Sequence, residues 1–175
     1  MYGGHVGIAL AGKGYRSSIP LWVLVIATQL PDWTDAAVCA AGVSSPPTEM
    51  LSHSMPAIAV LAAVMAALYY LMQRDAVSST IVALIVVSHM LADFLTGLKP
   101  TWPGGPHIGL QFYQRPAIDF AIEAVIIVIG WVIYRRSLPG NRRSSPPAIL
   151  LLASLLLLQL GASMSFVLFP GIKKC

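Results

Sequence analysis

The sequence predicts an all-α fold, a polytopic helical membrane protein with four to five transmembrane helices and a broken or re-entrant first segment. Composition is the first observation behind this prediction. Of the 175 residues, 57% are hydrophobic and only 10% are charged, whereas a soluble domain carries about 25% charged residues. The second observation is that apolar runs of about 20 residues, long enough to cross a bilayer, recur along the chain. We expect one integral membrane domain over residues 1–175.

Four segments are long and apolar enough, or nearly so, to form spanning helices: 55–72, 77–98, 116–134 and 147–169. A fifth segment, 19–42, is interrupted by Pro31, Asp32 and Asp35. Because proline removes a backbone hydrogen bond and kinks or breaks a helix, the break in this segment is predicted at Pro31. The last segment has no ionisable residue and is predicted to be an additional membrane-anchoring helix.

Basic residues predict the orientation of these helices. The loop 135–146 carries four arginines, and the excess of Lys and Arg in cytoplasmic loops places it in the cytoplasm. With five spans, the N-terminus would lie on the cytoplasmic side as well. Loop Lys and Arg also account for the net charge of +4, so the charge does not indicate a nucleic-acid partner.

The acidic residues are distributed in the opposite way. Of the seven acids, five fall inside apolar segments, while all eleven Lys and Arg fall outside them; these five are Asp32, Asp35, Asp93, Asp119 and Glu123. An ionised carboxylate in a bilayer costs at least about 2.5–3.5 kcal/mol. The five acids are therefore expected to be protonated, to border water or to surround a cation.

The spacing and the depth of these residues favour the last of these explanations, a bound cation. The intramembrane acids and histidine form three pairs three or four residues apart, and each pair shares a helix face: Asp32/Asp35, His89/Asp93 and Asp119/Glu123. At about 1.5 Å per residue these pairs, with His53, lie in the outer half of the membrane. Oxygen and imidazole ligands without thiolates suit Zn, Mn, Fe or Mg. For any single residue the alternative is an interhelical hydrogen bond, and Asp119 could simply pair with Arg115.

The ordered motifs of residues 1–105 resemble a known family. They are "GGHVG" with His5, "LPDWTD", "SHS" with His53, and "HMLADFLTGLKPTWP". This order resembles the YdjM-like bacterial inner-membrane proteins, described as membrane-bound metal-dependent hydrolases, and more distantly the soluble zinc-dependent phospholipase C enzymes. The resemblance implies a multi-pass protein of the bacterial inner (plasma) membrane. It also implies a metal site within residues 1–123, built from His5, Asp32, Asp35, His53, His89 and Asp93.

His5 is difficult to place in this scheme. In the five-span arrangement it starts on the cytoplasmic side, away from the other ligands. Either residues 1–42 form a re-entrant, broken helix at the outer face, leaving four spans, or His5 is not a ligand. The sequence leaves both alternatives open.

The function expected first is a membrane-embedded metal-dependent hydrolase that acts on an ester or phosphoester of a lipid-like substrate near the outer leaflet. It would use one or two divalent ions, with zinc expected before Mn, Fe or Mg, to activate water. Glu123 is the candidate general base or partner of a ligand, and Asp35 could bridge a second metal.

The loop 99–115 connects the helix of His89 to the helix of Glu123, so it is expected to lie over the pocket. Lys99, Trp102 and Arg115 of this loop are candidates for binding an anionic lipid headgroup. The alternative is that Lys99 and Arg115 only snorkel to the interface and fix helix depth. The expected partners are membrane lipids and a lipid-like substrate, without nucleic acid.

Two other classes of function remain open at this stage. One is a transporter or channel for protons or metal ions, because intramembrane acids and histidines also mark ion pathways. The other is a regulatory membrane protein with a structural metal. The polar layer is one-sided, since the second half of the segment 116–134 is apolar after Glu123, and this pattern is typical of a pocket rather than a path.

Overall fold

The chain folds almost entirely into α-helices. The structure is a computed structural model and describes residues 3–43 and 51–168. Its helices are α1 (Gly3–Tyr15), α2 (Leu21–Ala40), α3 (Met55–Gln73), α4 (Ala76–Thr96), α5 (Pro116–Ser137), the one-turn α6 (Gly140–Arg143) and α7 (Pro146–Leu168). Two-residue strands β1 (Lys99–Pro100) and β2 (His107–Ile108) pair antiparallel between α4 and α5. Short 3-10 turns precede α3 and α5, at Leu51–His53 and Phe112–Gln114.

Within the described ranges, four helical segments are long and apolar enough to cross a membrane: α3, α4, α5 and the α6–α7 segment Gly140–Ser165. The prediction of an all-α polytopic membrane protein is confirmed. The four predicted segments agree with the observed helices to within three residues, except that Phe169, the predicted end of the last one, lies outside the described residues. α2 has 20 residues, but it is not among these four helices.

Residues 1–42 are broken as predicted, but the break lies at residues 16–20, between α1 and α2, and not at Pro31. α2 continues through Pro31. Proline lacks an N–H and crowds the carbonyls one turn earlier, so a helix that contains it needs other donors for those carbonyls. Such a donor is present here, because Nδ1 of His89 lies 2.6 Å from the carbonyl oxygen of Thr28.

α1 and α2 form a helical hairpin whose turn lies at the basic end of the bundle. We define the basic end by the turns at residues 13–20, 73–76 and 135–146, and the opposite end as the site end. Nη2 of Arg16 lies 3.0 Å from Oδ2 of Asp75, which ties the α1–α2 turn to the α3–α4 turn. Asp75 also accepts from the backbone N–H of Ser78 and caps α4. Seven of the eleven basic residues lie at this end: Lys13, Arg16, Arg74, Arg135, Arg136, Arg142 and Arg143.

α1 runs parallel to α5 at backbone contact. A Cβ at Gly7 would lie 2.8 Å from the carbonyl oxygen of Ile126, a Cβ at Gly14 would lie 2.7 Å from that of Ile133, and a Cβ at Gly130 would overlap the carbonyl of Gly7. Small residues allow helices in membranes to approach this closely. α1 therefore starts near the site end, inside the bundle, and runs toward the basic end.

Apolar side chains fill the bundle between its two ends. One cluster joins α1, α2, α3 and α4 and includes the fully buried Leu24, Val82 and Val86. A second cluster joins α1, α5 and α7 around Leu10 and Ile127. These clusters separate the charged turns of the basic end from the polar residues of the site end.

Candidate metal centre

Three parts of the chain meet at the site end and place their polar side chains together. The second half of α2 supplies Asp32 and Asp35, and the turn before α3 supplies His53. The last two turns of α4 supply His89 and Asp93, which share one face because they are four residues apart. Most of these side chains are buried, and Asp32 is the most accessible of them, with 25% of its side chain exposed.

Four ligand atoms converge at this point and lie within 4.8 Å of one another: Asp32 Oδ1, His53 Nε2, His89 Nε2 and Asp93 Oδ2. Nε2 of His53 lies 3.1 Å from Asp32, 3.2 Å from Asp93 and 3.1 Å from Nε2 of His89. Nε2 of His89 lies 3.6 Å from Asp32 and 3.4 Å from Asp93. Four ligands at about 2.0–2.1 Å from a tetrahedral zinc ion lie about 3.3 Å apart. These five distances are therefore close to the spacing of ligands around a tetrahedral divalent cation, and the group could hold such an ion.

Hydrogen bonds behind the two imidazoles fix their orientation. Nδ1 of His53 lies 2.7 Å from Oδ2 of Asp35, and the other oxygen of Asp35 accepts from the backbone N–H of Ser52 at 3.0 Å. Nδ1 of His89 is held by the carbonyl of Thr28. In a neutral imidazole whose Nδ1 donates to an acceptor, Nε2 is the unprotonated nitrogen that binds metal. Asp35 thus lies behind His53, and the prediction that it bridges a second metal stays a prediction.

His5, which only the family resemblance suggested as a ligand, lies next to these four atoms. Its Nε2 is 3.3 Å from Oδ1 of Asp93 and 4.0 Å from Oδ2 of Asp32. Its ring stacks on His89, with centroids 4.0 Å apart. The residue is fully buried, and beyond the contact of Nε2 with Asp93 neither ring nitrogen has a hydrogen-bond partner within the described part of the chain. Buried polar groups are usually paired, and a cation beside Nε2 would satisfy this atom.

The centre has an excess of negative charge from Asp32, Asp35 and Asp93, and cationic groups gather around it. Nζ of Lys99 lies 2.7 Å from Oδ2 of Asp93. Burial would lower the pKa of His53, but the hydrogen bonds to the three aspartates outweigh it and raise the pKa to about 10. Since the carboxylates draw both a proton and an ammonium group toward them, the electrostatics of the centre favour a divalent cation.

The remaining predicted site residues lie around this centre rather than in it. Glu123 is fully buried on α5, and its Oε2 accepts from the backbone N–H of Gly4 at 3.1 Å. Asp119 is buried one turn earlier and forms no ion pair with Arg115. Arg115 and Trp102 are exposed. The catalytic role of Glu123 and the substrate-binding roles of Arg115, Trp102 and Lys99 stay predictions.

The loop 99–115 is bonded to the helices of the site end. The backbone N–H of Met55, two residues after His53, donates to the carbonyl of Thr101 at 2.9 Å. Leu110 donates in the same way to the carbonyl of Phe94 in the last turn of α4. β1 begins at Lys99 and is paired with β2. The loop is therefore fixed beside the two segments that carry His53 and Asp93.

Three contributors to this arrangement were missed by sequence reasoning. Thr28 acts through its backbone carbonyl, which carries no side-chain signal. Ser52 holds both Asp35, through its N–H, and the carbonyl of Pro31, through its hydroxyl at 2.6 Å. Gln159 of α7 is buried, and its Oε1 accepts from the backbone N–H of Gly3 at 2.8 Å. A single amide in the run "LLLLQLGAS" was the available signal for Gln159.

A model of the YdjM inner membrane protein family matches residues 1–168. The match is longer than the region 1–105 that carries the resemblance in the sequence. It also includes α5 and α7, which lie outside the region of the ordered motifs. No curated protein and no solved structure matches the chain.

Proposed function

The chain belongs to the YdjM family of inner membrane proteins, and we propose that it is a membrane-embedded hydrolase whose centre binds a divalent metal, zinc in the first instance. One observation carries this proposal. The imidazoles of His53 and His89 are each hydrogen-bonded at Nδ1. Their Nε2 atoms face the carboxylates of Asp32 and Asp93 at distances close to those between ligands of a tetrahedral ion. A divalent cation in such a position supplies Lewis acidity and makes water nucleophilic near neutral pH.

The aspartates of the centre give it room for two cations. Asp32 and Asp93 each turn one oxygen toward His53 and His89 and the other toward His5. We propose that His5 and the outer oxygens of the two aspartates would hold a second, adjoining cation. Carboxylates that bridge two cations are typical of hydrolases that clamp both the attacking and the leaving oxygen of an ester.

Lys99 adds its ammonium group to the two cations proposed for this centre. Lys99 is 7% exposed, and its ammonium contacts Asp93. With the charge of Asp93 balanced by a cation, this ammonium is placed to bind an anionic oxygen of the substrate as a hydrogen-bond donor and point charge. This favours a phosphoester or another anionic ester of a lipid. Asp32, the most exposed of the ligands, marks the side from which the substrate enters.

The apolar middle of the bundle favours hydrolysis over transport. An ion pathway needs polar residues through both halves of the bilayer. Between the centre and the basic end, the described residues include the fully buried Leu24, Val82 and Val86. A cavity of about 640 Å³ does lie toward the basic end, between α1 and α4, but it is lined largely by apolar residues such as Ile8 and Leu84 and by none of the centre.

A direct experiment separates these functions. Purified protein would be assayed in mixed micelles with phospholipid and neutral ester substrates, before and after removal of metal with a chelator. We expect hydrolysis that is lost with the metal and restored by zinc. Metal-dependent ion flux into liposomes without hydrolysis would favour transport, and tightly bound metal without either activity would favour a structural role.

The orientation belongs to the same proposal. The seven basic residues of the basic end favour a cytoplasmic position for that end, and we propose that the centre faces the outer side. A single cysteine at Asn141 should resist an impermeant thiol reagent in intact cells, and a cysteine at Gly104 should react with it. The reverse pattern would overturn the orientation and leave the metal centre as it is.

A further inference from the structure

We propose that Glu123 and Gln159 are positioning residues that hold the buried start of α1 and thereby place His5 in the metal centre. The inference rests on the proposed function of that centre. Oε1 of Gln159 accepts from Gly3 N–H at 2.8 Å, and Oε2 of Glu123 accepts from Gly4 N–H at 3.1 Å. Both acceptors are almost completely buried, with exposed fractions of 2% and 0%.

The start of a helix needs such acceptors. Its first four N–H groups have no partner within the helix, and in a membrane protein water does not replace the missing partner. The helix dipole also makes this end positive. A carboxylate from α5 and an amide oxygen from α7 satisfy two consecutive N–H groups of α1, and the carboxylate adds charge that the dipole favours.

The fit of α1 at this point leaves little freedom. A Cβ at Gly3 would lie 2.8 Å from Oε1 of Gln159 and 2.9 Å from Cδ1 of Ile127. His5 follows Gly4 directly, and its Nε2 is 3.3 Å from Oδ1 of Asp93. A shift of the first turn by about 1 Å would take His5 out of ligand geometry, and metal sites tolerate only about 0.2 Å of error in ligand distances.

This role differs from general-base catalysis by Glu123, and one substitution separates the two. Glu123→Gln keeps an oxygen that can accept from Gly4, but it removes the basic carboxylate. If Glu123 positions α1, Glu123→Gln should keep the wild-type hydrogen exchange of α1 and the wild-type cobalt spectrum, and Glu123→Ala should lose both. If Glu123 is the base, both variants should lose hydrolysis to a similar extent while the metal content stays unchanged.

The test uses full-length protein in detergent micelles and has two readouts. Hydrogen exchange of peptides from residues 3–12 reports on the start of α1, whether or not metal is bound. Removing a buried acceptor should speed exchange in the first turn about tenfold in Glu123→Ala and Gln159→Ala. Cobalt substitution, read by the visible spectrum and by metal per chain, reports on His5. Both Ala variants should lose the same part of the cobalt signal that His5→Ala loses.

Leu158→Ala is the matched control, because Leu158 is 70% exposed on α7 next to Gln159. Should Glu123→Ala fail to fold, Gln159→Ala against Gln159→Glu gives the same comparison, since Glu keeps an acceptor for Gly3. Unchanged exchange at the start of α1 in both Ala variants would overturn the positioning role. Faster exchange with no cobalt bound by wild type would uphold the cap of α1 and reject the metal centre, so the two failures are distinguishable.

Discussion

The basic end and the site end carry most of the charged residues of this chain, and burial gives these charges opposite consequences. At the basic end, the side chains of the Arg16–Asp75 pair are 42% and 31% exposed, and an exposed pair contributes about 0.2–1 kcal/mol. At the site end, His5, His89 and Asp93 are fully buried in mutual contact. Removing one partner from a buried pair costs about 3–5 kcal/mol. We propose that the charges at the first end orient the protein, whereas those at the second end bind a cation.

The largest loss of metal binding is expected when two ligands of the centre are removed together. His89→Ala combined with Asp93→Asn should abolish most metal binding, because it removes one imidazole and the charge of one carboxylate from the four-atom set. Elemental analysis of purified protein gives the metal per chain. Leu91→Ala, on the exposed face of the same helix, is the control and should keep wild-type metal. A double variant with full metal content would show that the cation binds elsewhere.

The next largest loss of metal binding is expected at Asp35, whose carboxylate is hydrogen-bonded to the metal ligand His53. Asp35→Asn should weaken metal binding about 10–100-fold, because the amide no longer fixes the tautomer and orientation of His53. A titration against a coloured chelator measures this affinity. Asp75→Asn makes the same isosteric change at the basic end and should leave the affinity unaltered. Equal losses in both variants would mean that Asp35 acts on overall stability rather than on His53.

Lys99→Met tests whether the ammonium at the centre serves the substrate. The change keeps the length of the side chain and removes its charge. KM for an anionic lipid substrate should rise about tenfold, the value of one hydrogen bond to a charged group, while KM for a neutral ester changes little. Arg115→Ala should raise KM for the anionic substrate less, with metal near wild type. Loss of metal from Lys99→Met would instead assign Lys99 to the support of Asp93.

The smallest effect is expected at the basic end. Arg16→Gln removes the partly exposed pair with Asp75 and should lower the free energy of unfolding by no more than about 1 kcal/mol. Unfolding in mixed micelles with increasing SDS measures this change. Metal content and activity should be those of wild type. A loss of metal would show that the α1–α2 turn controls the centre from the far end of the bundle.

Much of the fold was predictable because it depends on the length and polarity of the sequence segments. The four membrane-length helices follow from apolar runs, and the family and its inner-membrane localisation, expected from the ordered motifs, are confirmed by the family match. The pairs Asp32/Asp35 and His89/Asp93 were predicted to share faces, and the structure brings them together with His53 because helix geometry determines which side chains are neighbours.

The start of α1 could not be predicted in the same way. Counting basic residues with five spans placed His5 in the cytoplasm, since nothing in "MYGGHVG" shows that a helix can begin inside a membrane. Its first N–H groups bond to Gln159 and Glu123, more than 100 residues later in the sequence, and we propose that these acceptors allow α1 to begin inside the protein. Lys99 illustrates another limit. A long, flexible side chain can reach toward the interface or back into the protein, and sequence position does not distinguish the two.

The central claim is that buried histidines and aspartates bind a divalent cation, and metal quantification on wild-type protein tests it most directly. Protein purified without added metal would be analysed for all divalent metals, and its X-ray absorption spectrum would identify the ligands. We expect one or two divalent ions per chain, with nitrogen and oxygen ligands at about 2.0–2.2 Å and no sulfur. Folded protein that contains no metal and hydrolyses its substrate at the full rate would contradict it.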